Sequence, residues 1–165
     1  MGEVWIGGGG DSFSYLSERH ANCLGNLSLC DNISAFYGKE ALAGERYKEL
    51  CNILSFVDSG KAVFFLSGGE RKKAELIFTF LKDSSYYVLD EPFKSLDKTT
   101  CSALLSFLRR EGASKGVIIT NNQSGFEPED GEGIINLNDL SKNRQPKSEP
   151  TPEKLIRLQG PRRSL

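Results

Sequence analysis

The spacing of apolar and polar residues predicts strands and helices that alternate along the chain. Phe13–Leu16 alternates like a short strand, and residues 39–57 carry apolar side chains at mostly helical spacing. Gly68–Leu81 is predicted to be a helix. Tyr86–Leu89 is an almost unbroken apolar run, which is typical of a strand buried on both faces of a parallel sheet. The 68–81 helix is expected to turn Ala74, Leu76, Ile77, Phe80 and Leu81 inward and to leave Arg71, Lys72, Lys73 and Glu75 mostly in water.

Further elements follow the same pattern. Residues 98–110 are predicted to form a helix, and residues 116–120 and 133–137 two more buried strands. An additional strand is predicted at Glu3–Ile6. The helix at 98–110 is expected to place Leu104, Leu105 and Leu108 on one face. Strands that alternate with helices indicate an α/β fold with a mostly parallel sheet flanked by helices.

Composition limits the class of protein. Hydrophobic residues make up 38 % of the chain, enough for a core, while the net charge of −1 and a pI near 5.9 argue against a nucleic-acid partner. No apolar run approaches the roughly 20 residues that a membrane-spanning helix needs, so we expect any membrane association to come through a partner. Residues 139–165 are polar and proline-containing, which predicts a disordered tail.

Cysteine usage favours a reducing compartment. The four cysteines are Cys23, Cys30, Cys51 and Cys101. They stand far apart, without a C-x-x-C pair and with a single histidine, so a structural zinc site is disfavoured. We expect reduced, partly buried thiols rather than disulfides.

The first candidate site is the segment Leu66-Ser67-Gly68-Gly69-Glu70. Two glycines at the start of a helix let the backbone approach a ligand, and the free N–H groups of the first turn attract an anion. The hydroxyl of Ser67 offers a further donor. The competing interpretation is a simple turn before a helix.

The second candidate site is the carboxylate pair Asp90-Glu91, at the exit of the predicted 86–89 strand. Ligands of open α/β sheets bind outside the carboxyl ends of the strands. Asp90 is expected to hold Mg²⁺, directly or through water, and Glu91 to polarise the attacking water. The alternative is a solvated pair of carboxylates at a strand end.

With Ser95-Leu96-Asp97 added, these segments resemble the ATP-binding-cassette (ABC) ATPases. Leu66–Glu70 is similar to the signature motif of that family, Tyr86–Glu91 to its Walker B strand with the catalytic glutamate, and Ser95–Asp97 to its D-loop. The resemblance covers about residues 2–138. It implies ATP and Mg²⁺ as cofactors, with Ser67, Gly68, Gly69, Glu70 and Asp97 contacting nucleotide.

Three departures from the family pattern change what the resemblance implies. The sequence has no G-x-x-x-x-G-K-[ST] P-loop, and neither Gly38-Lys39 nor Gly60-Lys61 has the required glycine before it. Glu18 stands where the family has its Q-loop glutamine, and Asn121 where it has its switch histidine. Asparagine cannot become cationic or shuttle a proton.

The resemblance therefore implies a partial ABC-type nucleotide-binding domain at residues 1–138, with a helical subdomain at about 20–80 and the tail after it. Family members work as head-to-tail dimers, so the expected function is ATP-driven transport that uses a P-loop from an ABC-type ATPase partner. Hydrolysis by the isolated chain is not expected. The second expected partner is an integral membrane subunit, which implies a cytoplasmic chain held peripherally at the inner face of the membrane.

Three other readings stay open. Leu89–Phe93 and Gly116–Gln123 somewhat resemble the haem-exporter subunit of cytochrome c maturation. A different class, the chromosome-maintenance and DNA-repair ATPases, shares the signature, but residues 20–58 show no sustained heptads. A catalytically silent regulatory subunit is favoured by Asn121 and opposed by the intact Asp90-Glu91 pair.

Overall fold

The computed structural model describes residues 12–18 and 21–121. The predicted strands at Glu3–Ile6 and 133–137 and the tail at 139–165 lie outside these residues. The described elements, in chain order, are β1 (Phe13–Leu16), α1 (Leu29–Tyr37), α2 (Glu40–Ala43), α3 (Glu45–Ile53), a 3₁₀ turn (Val63–Phe65), α4 (Gly68–Leu81), β2 (Tyr86–Asp90), α5 (Lys98–Gly112) and β3 (Gly116–Thr120). This is the predicted α/β class.

The three described strands form one parallel sheet in the order β1-β2-β3. Leu89 is the common register point, opposite Leu16 on one side and Ile119 on the other. Helices α1 to α4 lie between β1 and β2 in the sequence, and α5 lies between β2 and β3. Parallel strands require such crossovers, and they bring all three carboxyl ends to the same edge.

The expectation that β2 is buried on both faces is wrong. Tyr87 and Leu89 are fully buried, whereas Tyr86 and Val88, which alternate with them along the strand, are only half-buried. Successive side chains of a strand point to opposite faces, and α4 and α5 both pack on the Tyr87 face. The Phe80 ring of α4 lies 5.0 Å from the Tyr87 ring and 5.0 Å from the Phe107 ring of α5, centroid to centroid.

Helix α4 has the predicted bounds, but the environment of its charged residues was predicted wrongly. Ala74, Leu76, Ile77 and Phe80 are buried as expected, and Leu81 is half-buried. Lys72 and Glu75, expected in water, are each only 8 % exposed. The reason is tertiary: α4 contacts β1, α1, α3 and the 3₁₀ turn, so it has no broad solvent face.

The segment 39–57 is not one helix. Gly44 is extended (φ −68°, ψ 149°) and separates α2 from α3, which ends at Ile53. Val57, counted as an apolar helix position, is 87 % exposed beyond that end. Helix α1, which the sequence analysis did not assign, begins at the N-cap Ser28, whose side chain accepts a hydrogen bond from the amide of Asp31.

Helix α5 begins as predicted and runs two residues further, to Gly112. Leu104 and Leu108 are buried, but Leu105 is only half-buried and Phe107 takes the third core position. In the core of the described residues, the Phe80 ring contacts both the Tyr87 ring and the Phe107 ring. None of the described helices is both long enough and apolar enough to cross a membrane.

An ion-pair cluster joins α3 to the C-terminal end of α5. Both terminal nitrogens of the Arg46 guanidinium lie 2.9 Å from the carboxylate of Glu111, and Lys115 lies 2.7 Å from the same carboxylate. These hydrogen bonds, that from Arg46 foremost, lower the pKa of Glu111 to about 2 although its burial acts in the opposite direction. The Glu111 side chain is only 8 % exposed, so its ion pair with Arg46 joins α3 to α5 where little water reaches the carboxylate.

Candidate functional site

The carboxyl edge of the sheet gathers the residues that follow each strand. Asp90 ends β2, and its Oδ1 lies 2.5 Å from the hydroxyl of Thr120 at the end of β3. The backbone N–H of Glu18, two residues beyond β1, faces the other carboxylate oxygen at 3.4 Å. Glu18 and Thr120 lie 72 and 30 positions from Asp90 in the sequence, and only the parallel register brings them together.

Glu91 follows at once and adopts an unusual backbone conformation. Its φ is +48°, in the left-handed region that side chains other than glycine rarely occupy. Its N–H donates to the carbonyl of Thr120 at 3.1 Å, and the residue is only 6 % exposed. Strained backbone of this kind persists only where the surroundings hold it, and it clusters at functional sites.

Glu18 has a charged partner that the sequence analysis did not anticipate. Its carboxylate forms an ion pair with the ammonium of Lys94, which lies in the turn after β2. Hydrogen bonding to Glu18 raises the pKa of Lys94. The negative charge that distinguishes Glu18 from glutamine is therefore balanced within the described residues.

Asn121 directly follows β3 and is half-buried. It adjoins Thr120, whose hydroxyl bonds Asp90 and whose carbonyl accepts from the amide of Glu91. The structure thus brings Glu18, Asp90, Glu91 and Asn121 to one edge, as the topology of a parallel sheet requires. Thr120 links Asp90 to Glu91, and its position at the end of a predicted strand was the only signal for it.

The start of α4 is built as a capping box. Ser67 is the N-cap: its side chain accepts from the amide of Glu70, and the Glu70 carboxylate accepts from the amide of Ser67 at 2.9 Å. The hydrogen bonds with Ser67 lower the pKa of Glu70. Glu70 is thus engaged in holding the helix start.

The two glycines have different surroundings. A Cβ on Gly68 would meet nothing within 4 Å, so the backbone there is open to an approaching group. A Cβ on Gly69 would lie 2.9 Å from the carbonyl oxygen of Ser95, which is itself left-handed with φ +67°. The Gly69 position therefore needs a glycine for contact within this chain.

Asp97, at the start of α5, lies close to the first turns of α4. It is the N-cap of α5, with Oδ1 accepting from the amide of Thr100 at 2.9 Å and Oδ2 from its hydroxyl at 2.7 Å. These bonds lower the pKa of Asp97. Lys73 of α4 lies 3.8 Å from Asp97 Oδ2. The segments 66–70 and 95–97 therefore meet through Gly69 and Ser95 and through Lys73 and Asp97.

The donor set at the sheet edge fits a magnesium ion that arrives with a phosphorylated ligand. Asp90 offers hard carboxylate oxygens, and Mg²⁺ commonly takes one or two carboxylates together with phosphate oxygens and water. In the described part of the chain no cluster of three or more His, Cys, Asp or Glu side chains could hold a metal ion without such a ligand.

Comparisons with known proteins place these features in context. ATP-binding protein Uup of Buchnera aphidicola is 34 % identical over 124 residues, which cover 72 % of this chain and 20 % of that protein. Thiamine import ATP-binding protein ThiQ of Vibrio parahaemolyticus is 26 % identical over 114 residues, 65 % of this chain and 47 % of that protein. The chain spans less than half the length of these two relatives. No protein-family model matches.

Among solved structures, a bacterial ABC transporter cassette determined as a dimer superposes with a TM-score of 0.58. The match has 17 % identity and covers 68 % of this chain and 53 % of that chain. The fold is that of an ABC nucleotide-binding domain, confirming the predicted fold class. The sequence likenesses agree, and we identify the chain as part of an ABC-type ATPase domain, with transporter ATP-binding proteins among its relatives. The likeness to the haem exporter stays a prediction.

Proposed function

We propose that this chain contributes the segment Leu66–Glu70 and the Asp90-Glu91 pair to an ABC ATPase that couples ATP binding and hydrolysis to transport across a membrane. The P-loop that holds the nucleotide is supplied by a partner ATPase. One observation carries the proposal: the start of α4 is exposed and unobstructed at Gly68, while its neighbour Gly69 is braced against Ser95.

This arrangement suits a surface that closes on a phosphate held by another chain. The first amides of α4 carry the positive end of the helix dipole, which favours a negatively charged group. Ser67 is exposed, and its oxygen accepts from the amide of Glu70 within the capping box. The capping box and the Ser95 contact keep the segment in place before the ligand arrives, which lowers the entropy cost of binding.

Asp90 and Glu91 are assigned the chemistry at the sheet edge. Asp90, oriented by Thr120, would hold Mg²⁺, and the ion would neutralise charge on the phosphate oxygens. Glu91 would polarise the attacking water, with its backbone fixed by the Thr120 carbonyl. Asn121 lies at the same edge and can form hydrogen bonds to a phosphate, but it carries no titratable proton.

The test is isolation of the tagged full chain with its natural partners. We expect it to be recovered from the membrane fraction with an integral membrane protein and a P-loop ATPase. The complex should hydrolyse ATP, with Glu91→Gln lowering turnover by about a hundredfold or more. Ser102→Ala, at an exposed hydroxyl of α5 bonded within its own helix, is the matched surface control and should leave turnover unchanged.

Other outcomes assign the chain to another class. Recovery with DNA or a coiled-coil protein would overturn transport in favour of the DNA-repair class. Recovery with a membrane complex whose turnover is the same with Glu91→Gln would support a catalytically silent regulatory subunit. Turnover by the purified chain alone that disappears with Glu91→Gln would contradict the need for a partner.

A further inference from the structure

The ion pair between Glu18 and Lys94 spans the carboxyl edge of the sheet. Glu18 lies two residues beyond β1, and Lys94 lies in the turn that follows β2. The two residues are 76 positions apart in the sequence. They meet because the parallel register of β1 and β2 places both strand ends at one edge.

Both partners of this pair also adjoin the two carboxylates that are assigned the chemistry. The backbone N–H of Glu18 faces Asp90 Oδ2 at 3.4 Å. The backbone N–H of Lys94 donates to the carbonyl of Glu91 at 3.3 Å, which closes the turn that begins at Glu91. The Glu18–Lys94 pair therefore belongs to the candidate site and is not a remote surface contact.

The formal charges at this edge are uneven. Glu18, Asp90 and Glu91 bring three carboxylates to it. Asp90 is contacted by two neutral donors, the hydroxyl of Thr120 and the amide of Glu18. Within the described part of the chain, Lys94 is the only cation that forms an ion pair with Glu18. Loss of the Lys94 ammonium would therefore leave a second carboxylate without a counter-ion beside Asp90.

The pair is placed where it can be exchanged. The Lys94 side chain is 56 % exposed and the Glu18 side chain 34 %, so water screens their attraction and the pair contributes little to stability. Both residues line a cavity of about 280 Å³, together with Gly68 and Ser95. The Glu18 carboxylate therefore has space in which to turn when its partner is removed.

We propose that Lys94 is a positioning residue that occupies the Glu18 carboxylate and so lowers the affinity of the Asp90 edge for a bare divalent cation. The proposal rests on the metal-binding role given to Asp90 under the proposed function. A carboxylate held by an ammonium attracts a nearby cation less, and the ammonium itself repels that cation. The edge then takes up Mg²⁺ chiefly together with phosphate oxygens, which supply further ligands and negative charge.

The experiment is a titration of the full chain with Mn²⁺ alone, followed by electron paramagnetic resonance. Mn²⁺ replaces Mg²⁺ because it also prefers carboxylate oxygens and can be observed directly. We expect Lys94→Met to bind Mn²⁺ about threefold or more tighter than the wild type, since a positive charge near the ion is lost and Glu18 is released. Lys94→Arg, which keeps the charge, should bind like the wild type. A residue that only supported the fold would give weaker binding when removed, not tighter.

Lys48→Met is the matched control. It makes the same change in net charge and releases another carboxylate, that of Glu45 on α3, so it should bind Mn²⁺ like the wild type. Two double variants locate the effect. Lys94→Met combined with Glu18→Gln should return the affinity to near that of the wild type. Lys94→Met combined with Asp90→Asn should abolish the gain.

Equal Mn²⁺ binding by the wild type and folded Lys94→Met, including no detectable binding by either, would overturn the proposal. An equal gain in Lys48→Met, or a gain that persists without Glu18 or without Asp90, would also overturn it. The titration needs no partner, whereas the proposed transport function is tested by partner recovery and by ATP turnover of the complex. Failure of one is therefore distinguishable from failure of the other.

Discussion

Gly69 of α4 rests against the carbonyl oxygen of Ser95, so close that a Cβ at residue 69 would lie 2.9 Å from it. Distances under 3.0 Å are essentially never seen for real Cβ atoms. The contact joins a segment at a helix start to a loop 26 residues further along the chain. It gives the second glycine a structural role independent of any ligand.

Gly69→Ala should therefore destabilise the chain. The added methyl must displace backbone atoms rather than a flexible side chain, and such overpacking costs about 1–3 kcal/mol. Gly68→Ala is the matched control, because a Cβ there meets nothing within 4 Å; it should change the free energy of unfolding by about 0.5 kcal/mol or less. Urea unfolding of both variants measures the difference. Equal effects would show that the Ser95 contact is not what requires a glycine.

Ser67→Ala removes the side-chain oxygen that caps α4. Loss of an N-cap costs about 1 kcal/mol, because an amide of the first turn loses its acceptor. Ser67→Thr keeps a hydroxyl at the cap and should retain most of the stability. The check is again urea unfolding. If the alanine and threonine variants unfold at the same denaturant concentration, the capping box does not stabilise this helix.

Glu111→Gln should be among the more damaging polar substitutions. It removes a carboxylate that accepts two hydrogen bonds from Arg46 and one from Lys115. Arg46 keeps only a 3.6 Å ion pair with Glu49, and Lys115 keeps its ion pair with Asp83 at the surface. Hydrogen bonds to charged groups contribute about 1.5–3 kcal/mol, so we expect a loss of about 2 kcal/mol of unfolding free energy. Glu49→Gln is the control, since Glu49 is 36 % exposed and bonds Arg110 at the surface. It should cost about 1 kcal/mol or less.

The Glu111 carboxylate makes the free energy of unfolding depend on pH. Its pKa is about 2 in the folded chain and about 4.5 without the fold, so its contribution is present above pH 4.5 and is lost as pH falls from 4.5 to 2. The full loss from this one group is at most about 3 kcal/mol. Unfolding free energies measured from pH 7 to 2 should show the gap between wild type and Glu111→Gln narrowing across that window. A gap that stays constant would contradict the assignment.

Much of the fold could be predicted from local patterns. Alternating apolar and polar residues predict the bounds of β1, the glycine pair predicts the start of α4, and a continuous apolar run predicts β3. The break at Gly44 was missed because the apolar spacing continues on both sides of it. Helix α1 was missed although Leu29, Ile33 and Phe36 stand at helical spacing after its N-cap, Ser28.

The burial errors have a common cause. Hydrophobic periodicity reports which side of an element is apolar, but it does not report how many neighbours that element has. Lys72 and Glu75 are buried because α4 is surrounded by other elements. The alternation of burial in β2 arises in the same way, since the described helices that contact Tyr87 lie on one face.

By itself, the sequence determined the α/β alternation, the Ser-Gly-Gly helix start and the carboxylate pair at a strand end, because each depends on residues close together in the chain. Tertiary structure alone decided that Thr120 and the amide of Glu18 orient Asp90, that Lys94 neutralises Glu18, and that Gly69 must accommodate Ser95. These contacts join residues 26 to 76 positions apart. Strand register and helix packing bring them together, and neither is encoded in any local window of the sequence.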